Sequence, residues 1–353
     1  MINKEPIPNK MKALVLNDIS DLRFEEVKVP QIKKECVLLH VKCCGICSSD
    51  IDRIFKNGTY HFPTIPGHEF SGEIVGVYDK NDKHLLGKKA SVFPLLPCNN
   101  CDACRIGEYA QCSHYNYFGS RCDGAFSEYL VVPKWNLVLF DTMDYDVAAL
   151  CEPAAVALHA TRRVKLAENK KVFVMGSGTI GLLIAMFARV QGSKVYIGAR
   201  KKEAINYIKS LDFDYIDTNN FEEELKRKTN NQGFDYVFEA VGSNEAISNS
   251  ILACNNFATV VLVGNPHENL QLEKNVYWKI LRKQLTITGT WNSNYNNFIN
   301  DWQDAINFMQ QNYATFKSLI TNTFKLEEYK EAFDFLRDKS TFKIKVMFQN
   351  EKE

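Results

Sequence analysis

Four cysteines spaced Cys98-x2-Cys101-x2-Cys104-x7-Cys112 form the most specific pattern in the chain. Thiolates at this spacing wrap a tetrahedral zinc ion in a closed site whose role is to hold a lobe in shape. A bacterial ferredoxin run also opens C-x2-C-x2-C, but it reaches a Cys-Pro after three residues. Here Cys112 comes after seven residues and precedes Ser113. Zinc is therefore expected, and an iron–sulfur cluster is the rival reading. A second set of donors is dispersed: Cys47 in GICSSD (45–50), His68 and Glu69 in PGHEFSG (66–72), and Glu152 in CEP (151–153). Each is ordinary alone. Together they offer the thiolate, imidazole and carboxylate of a catalytic zinc, which takes about three protein ligands and keeps one position exchangeable.

A third motif, Gly176-Ser177-Gly178-Thr179-Ile180-Gly181, is a GxGxxG turn. It follows the apolar run VFVM and opens the helical pattern TIGLLIAMFARV. In that context the glycines let the backbone turn tightly and approach a pyrophosphate, whose charge sits at the helix N-terminus. An NAD site carries an acidic side chain at the end of the second strand, ~20 residues on, for the ribose 2′-hydroxyl. The corresponding stretch, KVYIGARKK (194–202), has Gly198 and Ala199 there, followed by Arg200, Lys201 and Lys202. No carboxylate repels a 2′-phosphate, Gly198 leaves room, and Arg200 can grip the phosphate with two parallel hydrogen bonds. NADP(H) is the expected coenzyme, with NAD(H) as second choice. Val241 and Val263, at the ends of the fourth and fifth expected strands, are further candidate coenzyme contacts.

The elements that must position these groups fall into two textures. Up to about residue 155, short apolar runs such as 11–17, 36–47, 72–78 and 126–133 are broken by Gly, Pro, Asn and Asp. That spacing predicts a mostly antiparallel β domain. From residue 171, strands expected at 172–175, 194–198, 215–217, 236–239, 259–263 and 285–288 alternate with helices at 179–190, 202–210, 244–253 and 276–283. Such alternation implies right-handed crossovers and a doubly wound six-stranded parallel sheet. Helices at 298–311 and 326–337 and a strand at 343–348, alternating charged and apolar, complete the chain. This tail is too short for a domain and should return to the first one. The fold class is α/β, divided into 1–157, 158–291 and 292–353.

Composition bounds the rest. The 353 residues suggest two domains, and 45% hydrophobic with 24% charged residues is an ordinary globular mix. A net charge of +1 gives no electrostatic footprint for nucleic acid or an acidic membrane surface. The longest uncharged run, 172–188, falls short of the ~20 apolar residues of a membrane span, and no signal core precedes residue 11. Eleven cysteines, an odd number, point to a reduced, cytoplasmic setting without disulfides.

The motifs resemble the zinc-dependent medium-chain alcohol and polyol dehydrogenases over nearly the whole chain. GICSSD, GHEFSG, the cysteine lobe, DGAFSEY (123–129), CEP, GSGTIG and ILRKQLTITGTW (280–291) carry the resemblance. RIFKNG (53–58), SVFPLLPC (91–98) and FGSRCDG (118–124) look like the galactitol-1-phosphate dehydrogenase branch. The resemblance implies a GroES-like β-rich catalytic domain with a Rossmann coenzyme domain inserted before the C-terminal segment. It implies two zinc ions per chain. Cys47, His68 and Glu152 would hold the catalytic one, with Glu69 alternating with water or bridged by it. Asp50 would orient His68, Ser49 would relay the substrate proton, and Cys98, Cys101, Cys104 and Cys112 would hold the structural zinc. The reaction implied is hydride transfer between a secondary alcohol or ketone and the nicotinamide.

For a phosphorylated polyol, Arg53 and Arg121 are the expected phosphate clamp, with Lys56 a third candidate; an unphosphorylated polyol or simple secondary alcohol is the alternative substrate. The chain departs from the family at Tyr78, where a glycine is usual, and from the galactitol-phosphate branch at Ala199-Arg200, where an acid is usual. A homodimer or homotetramer is expected by analogy. A non-catalytic relative should have lost zinc ligands, and Cys47, His68 and Glu152 are all present. A nucleic-acid-binding zinc ribbon would need a basic face, whereas residues 97–113 hold one Arg against one Asp and one Glu.

Overall fold

A computed structural model describes residues 2–266 and 268–350. The chain divides into two compact units, Met1–Glu152 with Asn294–Glu353, and Pro153–Ser293.

The first unit is built on an eight-stranded sheet. Its path runs Leu137–Phe140, Lys89–Val92, Glu69–Val77, Cys36–Gly45, Lys345–Gln349, Ile320–Phe324, with Ile2–Asn3 and Tyr129–Pro133 pairing off that path. All pairs are antiparallel except the last, where Ile320–Phe324 and Lys345–Gln349 run parallel. The apolar runs 36–47, 72–78 and 126–133 supply strands of this sheet, whereas 11–17 falls in Lys10–Asp18, which pairs with Asp21–Lys28 in a separate two-stranded sheet. The unit's inward residues, among them Val37, Leu39, Phe70, Ile74, Phe126 and Phe348, form one buried core. The ring of Phe126 meets that of Phe348 edge-on at 5.0 Å, tying the middle of the chain to the C-terminal strand.

The tail does return to this unit, but its elements differ from the expectation in three ways. The helix expected from residue 298 is Asp301–Gln311, because the Asn300 side chain accepts from the N–H groups of Trp302 and Gln303 and fixes the start there. The stretch 326–337 is a 3-10 turn, Leu326–Glu328, followed by the helix Tyr329–Arg337. The last strand is buried along nearly its whole length, Lys345 included. Alternating charge reads as a half-exposed strand, but this one has a sheet neighbour on each side. The helix Tyr313–Ser318 and the strand Ile320–Phe324 gave no clear sequence pattern.

The second unit is a six-stranded parallel sheet ordered Asp214–Asp217, Lys194–Ala199, Lys171–Met175, Phe234–Glu239, Cys254–Leu262, Thr286–Gly289. Counted along the unit this is 3-2-1-4-5-6, the doubly wound dinucleotide-binding order. Its strands are apolar on both faces because helices cover both, and Phe173, Tyr196, Phe234, Val237 and Val260 form the core. The helices Thr179–Val190 and Lys202–Ser210 have the expected bounds, and Asn244–Leu252 and Lys274–Arg282 lie within two residues of theirs. Phe221–Thr229 is an additional helix that buries only Phe221 and Thr229, too little to leave an apolar period. Its three N-terminal glutamates and three C-terminal cations complement the helix dipole instead. No helix among the described residues is long and apolar enough to cross a membrane.

Candidate metal and coenzyme sites

The strand Cys36–Gly45 leads directly into the first donor. Cys47 caps the short helix Ser48–Asp52 in extended conformation, and the Asp50 carboxylate accepts the Cys47 N–H at 3.0 Å. His68 and Glu69 come from the start of the neighbouring strand. The Cys47 sulfur, a His68 ring nitrogen and a Glu69 carboxylate oxygen all lie within 4.8 Å of one another. Gly45 permits this approach, since a Cβ there would meet both the Glu69 carboxylate and the Lys345 side chain.

Asp50 is fully buried, with Oδ1 3.2 Å from His68 Nδ1. That pairing directs the other imidazole nitrogen to the donor cluster, the usual outer partnership of a metal-binding histidine. Burial works against a charged His68, but Asp50 and Cys47 outweigh it and hold its pKa well above the ordinary value. Burial likewise opposes ionised Asp50, and His68, Arg53 and the Cys47 N–H together hold its pKa below the ordinary value.

Glu152 is buried and accepts a hydrogen bond from the Tyr117 hydroxyl at 3.1 Å. It stands outside the three-donor group. Burial, reinforced by the nearby Glu69 charge and opposed by His68, pushes its carboxyl up to about 7. A thiol, an imidazole and a carboxylate converge here with a second carboxylate near by, the sulfur, nitrogen and oxygen donors that zinc takes, so this set fits that ion.

Lys345 and Tyr117 were not anticipated from sequence. Lys345 is buried, its ammonium contacts Glu69 Oε2, and it donates to the Ile46 carbonyl at 3.3 Å. Burial opposes its charge, yet Glu69 and Cys47 hold its pKa above the ordinary value. Tyr117 lies with its ring centroid 5.7 Å from that of His68. Neither residue carries a local signal, because both reach the donors only through the tertiary fold.

The cysteine lobe is self-contained. Cys98, Cys101, Cys104 and Cys112 bring their sulfurs within 4.8 Å of one another, with Cys98–Cys104 at 4.0 Å and Cys101–Cys104 at 3.6 Å. Sulfurs at about 2.3 Å from a tetrahedral zinc stand ~3.8 Å apart, so the four are spaced for that ion. Backbone N–H groups of Cys104 and Ser113 stabilise ionised Cys101 and lower its pKa to about 5.

In the second unit, Gly178 precedes the helix Thr179–Val190 with no side-chain cap, at a helix N-terminus whose dipole favours an anion. A Cβ on Gly178 would meet no protein atom within 4 Å, whereas one on Gly181 would collide with the Gly176 carbonyl. The backbone therefore makes an open cradle at Gly178 and close strand–helix packing at Gly181, the two requirements of a pyrophosphate site. Ile180 follows Thr179 in the helix's first turn. The Val241 side chain abuts Gly176, and the N–H groups of Val241 and Val263 donate to the side chain and carbonyl of the buried Glu239, both at 2.8 Å. These residues gather at the carboxyl ends of the strands, where open α/β sheets bind ligands.

Around the second strand end, Ala199 is buried and the exposed Arg200 has Glu245 3.8 Å away. Lys201 caps the helix Lys202–Ser210, and a Cβ on Gly198 would touch Phe173 and Thr218 at 3.0 and 3.2 Å. Asp217 pairs in register with Ala199, but its carboxylate accepts from the N–H and side chain of Asn219 at 3.0 and 2.9 Å.

The three cations expected at a phosphate are not equivalent. Arg53 donates to Ser49 Oγ at 2.9 Å and to Asp50 at 3.2 Å, and Lys56 pairs with Asp52 at 2.8 Å. Arg121 lies with its guanidinium 4.0 Å from the ring centroid of Tyr60 and 4.5 Å from that of Tyr115.

Two family models match the chain: the alcohol dehydrogenase GroES-like domain over residues 33–142, and zinc-binding dehydrogenase over residues 179–311. Galactitol 1-phosphate 5-dehydrogenase of Escherichia coli strain K12 is 32% identical over 91% of this chain and 95% of its own length. The chain belongs to the zinc-dependent alcohol and polyol dehydrogenase family. Other similar members are sorbitol dehydrogenase of Bacillus subtilis, 29% identical over 93% of this chain and 94% of its own. D-arabitol-phosphate dehydrogenase of Enterococcus avium is 30% identical over 94% and 95% respectively. The crystal structure of the Escherichia coli galactitol-1-phosphate dehydrogenase superposes with a TM-score of 0.89 at 31% identity, covering 96% of this chain and all of that one. The chain thus has the GroES-like plus Rossmann fold of this family and is an enzyme of it.

Proposed function

We propose that the enzyme transfers hydride between NADP(H) and a secondary alcohol or ketone, with a sugar-alcohol phosphate such as galactitol 1-phosphate, or its ketose form, as substrate. The observation that carries this reading is the clustered trio of half-buried Cys47 and buried His68 and Glu69, with Glu152 near by, in a chain that also holds an open glycine cradle. An unphosphorylated polyol is the second reading, favoured by the similarity to sorbitol dehydrogenase. The functional division is a catalytic domain of residues 1–157 with 292–353, and a coenzyme domain of 158–291.

Cys47, His68 and Glu152 would hold the catalytic zinc, and the four lobe cysteines a structural one. Bound there, zinc would supply Lewis-acid polarisation of a substrate oxygen and a nicotinamide the hydride exchange. Asp50 fixes the His68 tautomer from the outer side. Ser49 would accept the substrate proton at Oγ and release its own hydroxyl proton outward toward solvent, with Arg53 donating to the same oxygen. Glu69 lies within the cluster with its carboxylate also contacted by Lys345, and can exchange that partner for the ion. Gly176, Gly178, Thr179, Ile180 and Gly181 cradle the pyrophosphate, Arg200 and Lys201 receive the 2′-phosphate, and Gly198, Val241 and Val263 line the remaining coenzyme surface.

A homodimer, or a tetramer made from two, is supported by the edge strand Thr286–Gly289, open on one side, with exposed Ile287. Tyr277, Trp278 and Leu281 are exposed on the helix Lys274–Arg282. An exposed apolar edge of this kind is normally covered.

The deciding experiment is a coenzyme-by-substrate panel followed by nicotinamide absorbance, with phosphorylated and plain polyols and ketoses. Cys47→Ala and His68→Ala should abolish turnover while NADPH still binds, as read by fluorescence titration. Turnover at the wild-type rate in either variant refutes the metal role, and a strong preference for NADH refutes the coenzyme assignment.

A further inference from the structure

We infer that the charged end of the substrate is read by Arg121, whose guanidinium plate is held against the rings of Tyr60 and Tyr115. The inference deepens the dehydrogenase reading above and rests on it for the position of the reacting carbon.

The argument begins with which cations remain available. Arg53 spends one guanidinium nitrogen on Ser49 and the buried Asp50, and Lys56 is paired with Asp52. Arg121 has no carboxylate partner among the described residues. Its neighbours are aromatic: its guanidinium lies 4.0 and 4.5 Å from the ring centroids of Tyr60 and Tyr115, and Nη2 donates to the Tyr60 hydroxyl at 3.1 Å. A guanidinium fixed by two ring faces loses rotamer freedom while its remaining in-plane N–H donors stay unpaired. Such a plate suits a planar or tetrahedral oxyanion, which takes two parallel hydrogen bonds.

The second strand of the argument is placement. The Arg121 N–H donates to the Tyr117 carbonyl at 3.0 Å, so a single tight turn joins the plate to Tyr117. The Tyr60 N–H donates to the Ser120 carbonyl at 3.3 Å, tying the other wall to the same turn. From Tyr115 the ring of Tyr117 is 6.3 Å away, and from Tyr117 the ring of His68 is 5.7 Å away. The plate is therefore joined to the metal donor His68 through the rings of Tyr115 and Tyr117. A ligand held at both places carries its anion away from the carbon that exchanges hydride, as a polyol with a terminal phosphate or carboxylate does.

The test uses the full-length zinc-loaded enzyme. The measured quantity is kcat/KM for a six-carbon polyol, its terminal phosphate and the matching aldonate, in wild type, Arg121→Met and Tyr60→Phe. Wild type should prefer an anionic polyol, and which anion wins identifies phosphate or carboxylate as the group read. Arg121→Met should cut that preference at least ~10-fold, mainly through KM, the scale of a lost charge-assisted hydrogen-bond pair. Tyr60→Phe, which removes only one hydrogen bond to the plate, should cut it less. Calorimetry with inorganic phosphate, which needs no turnover, should show binding to wild type and none to Arg121→Met at an unchanged melting temperature. Equal use of charged and plain polyols by wild type overturns the inference and leaves the dehydrogenase reading standing, as does an anion preference that survives in Arg121→Met. An enzyme that oxidises no polyol yet loses phosphate binding in Arg121→Met would fail the dehydrogenase reading alone.

Discussion

Glu69 and Lys345 form a buried pair against the other donors, and its energetics depend on what else is present. Removing one member of such a pair leaves an uncompensated charge and costs about 3–5 kcal/mol. Lys345→Met should therefore lower the melting temperature. If Glu69 can turn to a metal ion, the ion takes over the compensation. The loss should then be smaller in zinc-loaded enzyme than after chelation, a difference that thermal melting with and without chelator measures directly. An equal loss in both states would mean that Glu69 never reaches the ion. The residues that bear the chemistry were legible because cysteine, histidine and glycine at set spacings have few other uses. Their partners were not. Lys345 is a lysine in a C-terminal strand and Tyr117 a tyrosine in a loop until the fold brings them to Glu69 and Glu152. Arg53, expected at the phosphate, donates to Ser49 Oγ and to the buried Asp50 as well, contacts that the charge of its side chain alone does not announce.

Among the elements, the turn before the helix Thr179–Val190 separates two glycine roles that sequence lumps together. Gly181→Ala forces a Cβ into the Gly176 carbonyl and should destabilise the protein and abolish coenzyme binding. Gly178→Ala meets no protein atom, so its melting temperature should match wild type while NADPH affinity falls; fluorescence titration beside thermal melting separates the two. The helix Tyr313–Ser318 offers a pH-dependent clasp. The Tyr313 hydroxyl and Lys317 both donate to Asp144 and hold its carboxyl below the ordinary 3.8. A depressed acid contributes stability that is fully present above the ordinary value and lost as pH falls through the folded one. Asp144→Asn should lower the melting temperature at pH 7, with the gap closing below about pH 4. A gap that widens in acid would refute the clasp. Strands of the parallel sheet were the most legible elements, since burial on both faces leaves unbroken apolar runs. Ile320–Phe324 and Tyr313–Ser318 were the least, being half-buried, with polar residues that face clefts in the fold and leave no period.

Across the whole molecule, two metal positions of unlike construction imply two removal behaviours. The cysteine lobe is closed by four sulfurs, whereas the Cys47 cluster mixes a thiol, an imidazole and carboxylates. Elemental analysis should return two zinc ions per chain, and mild chelation should strip one with turnover while the second stays until the protein melts. One zinc in active enzyme would contradict this. The donor sets also differ in how the chain supplies them. All four lobe sulfurs emerge from the ribosome within one short stretch and can trap their ion as soon as they appear. The Cys47 set is complete only when Glu152 has emerged, roughly 40 residues after the last lobe cysteine, a delay on the order of 2–8 s at about 5–20 residues per second. The nascent protein is therefore expected to acquire its scaffolding ion early and its working ion late, so scarcity of zinc during growth should yield molecules that are folded, half-metallated and silent until supplemented.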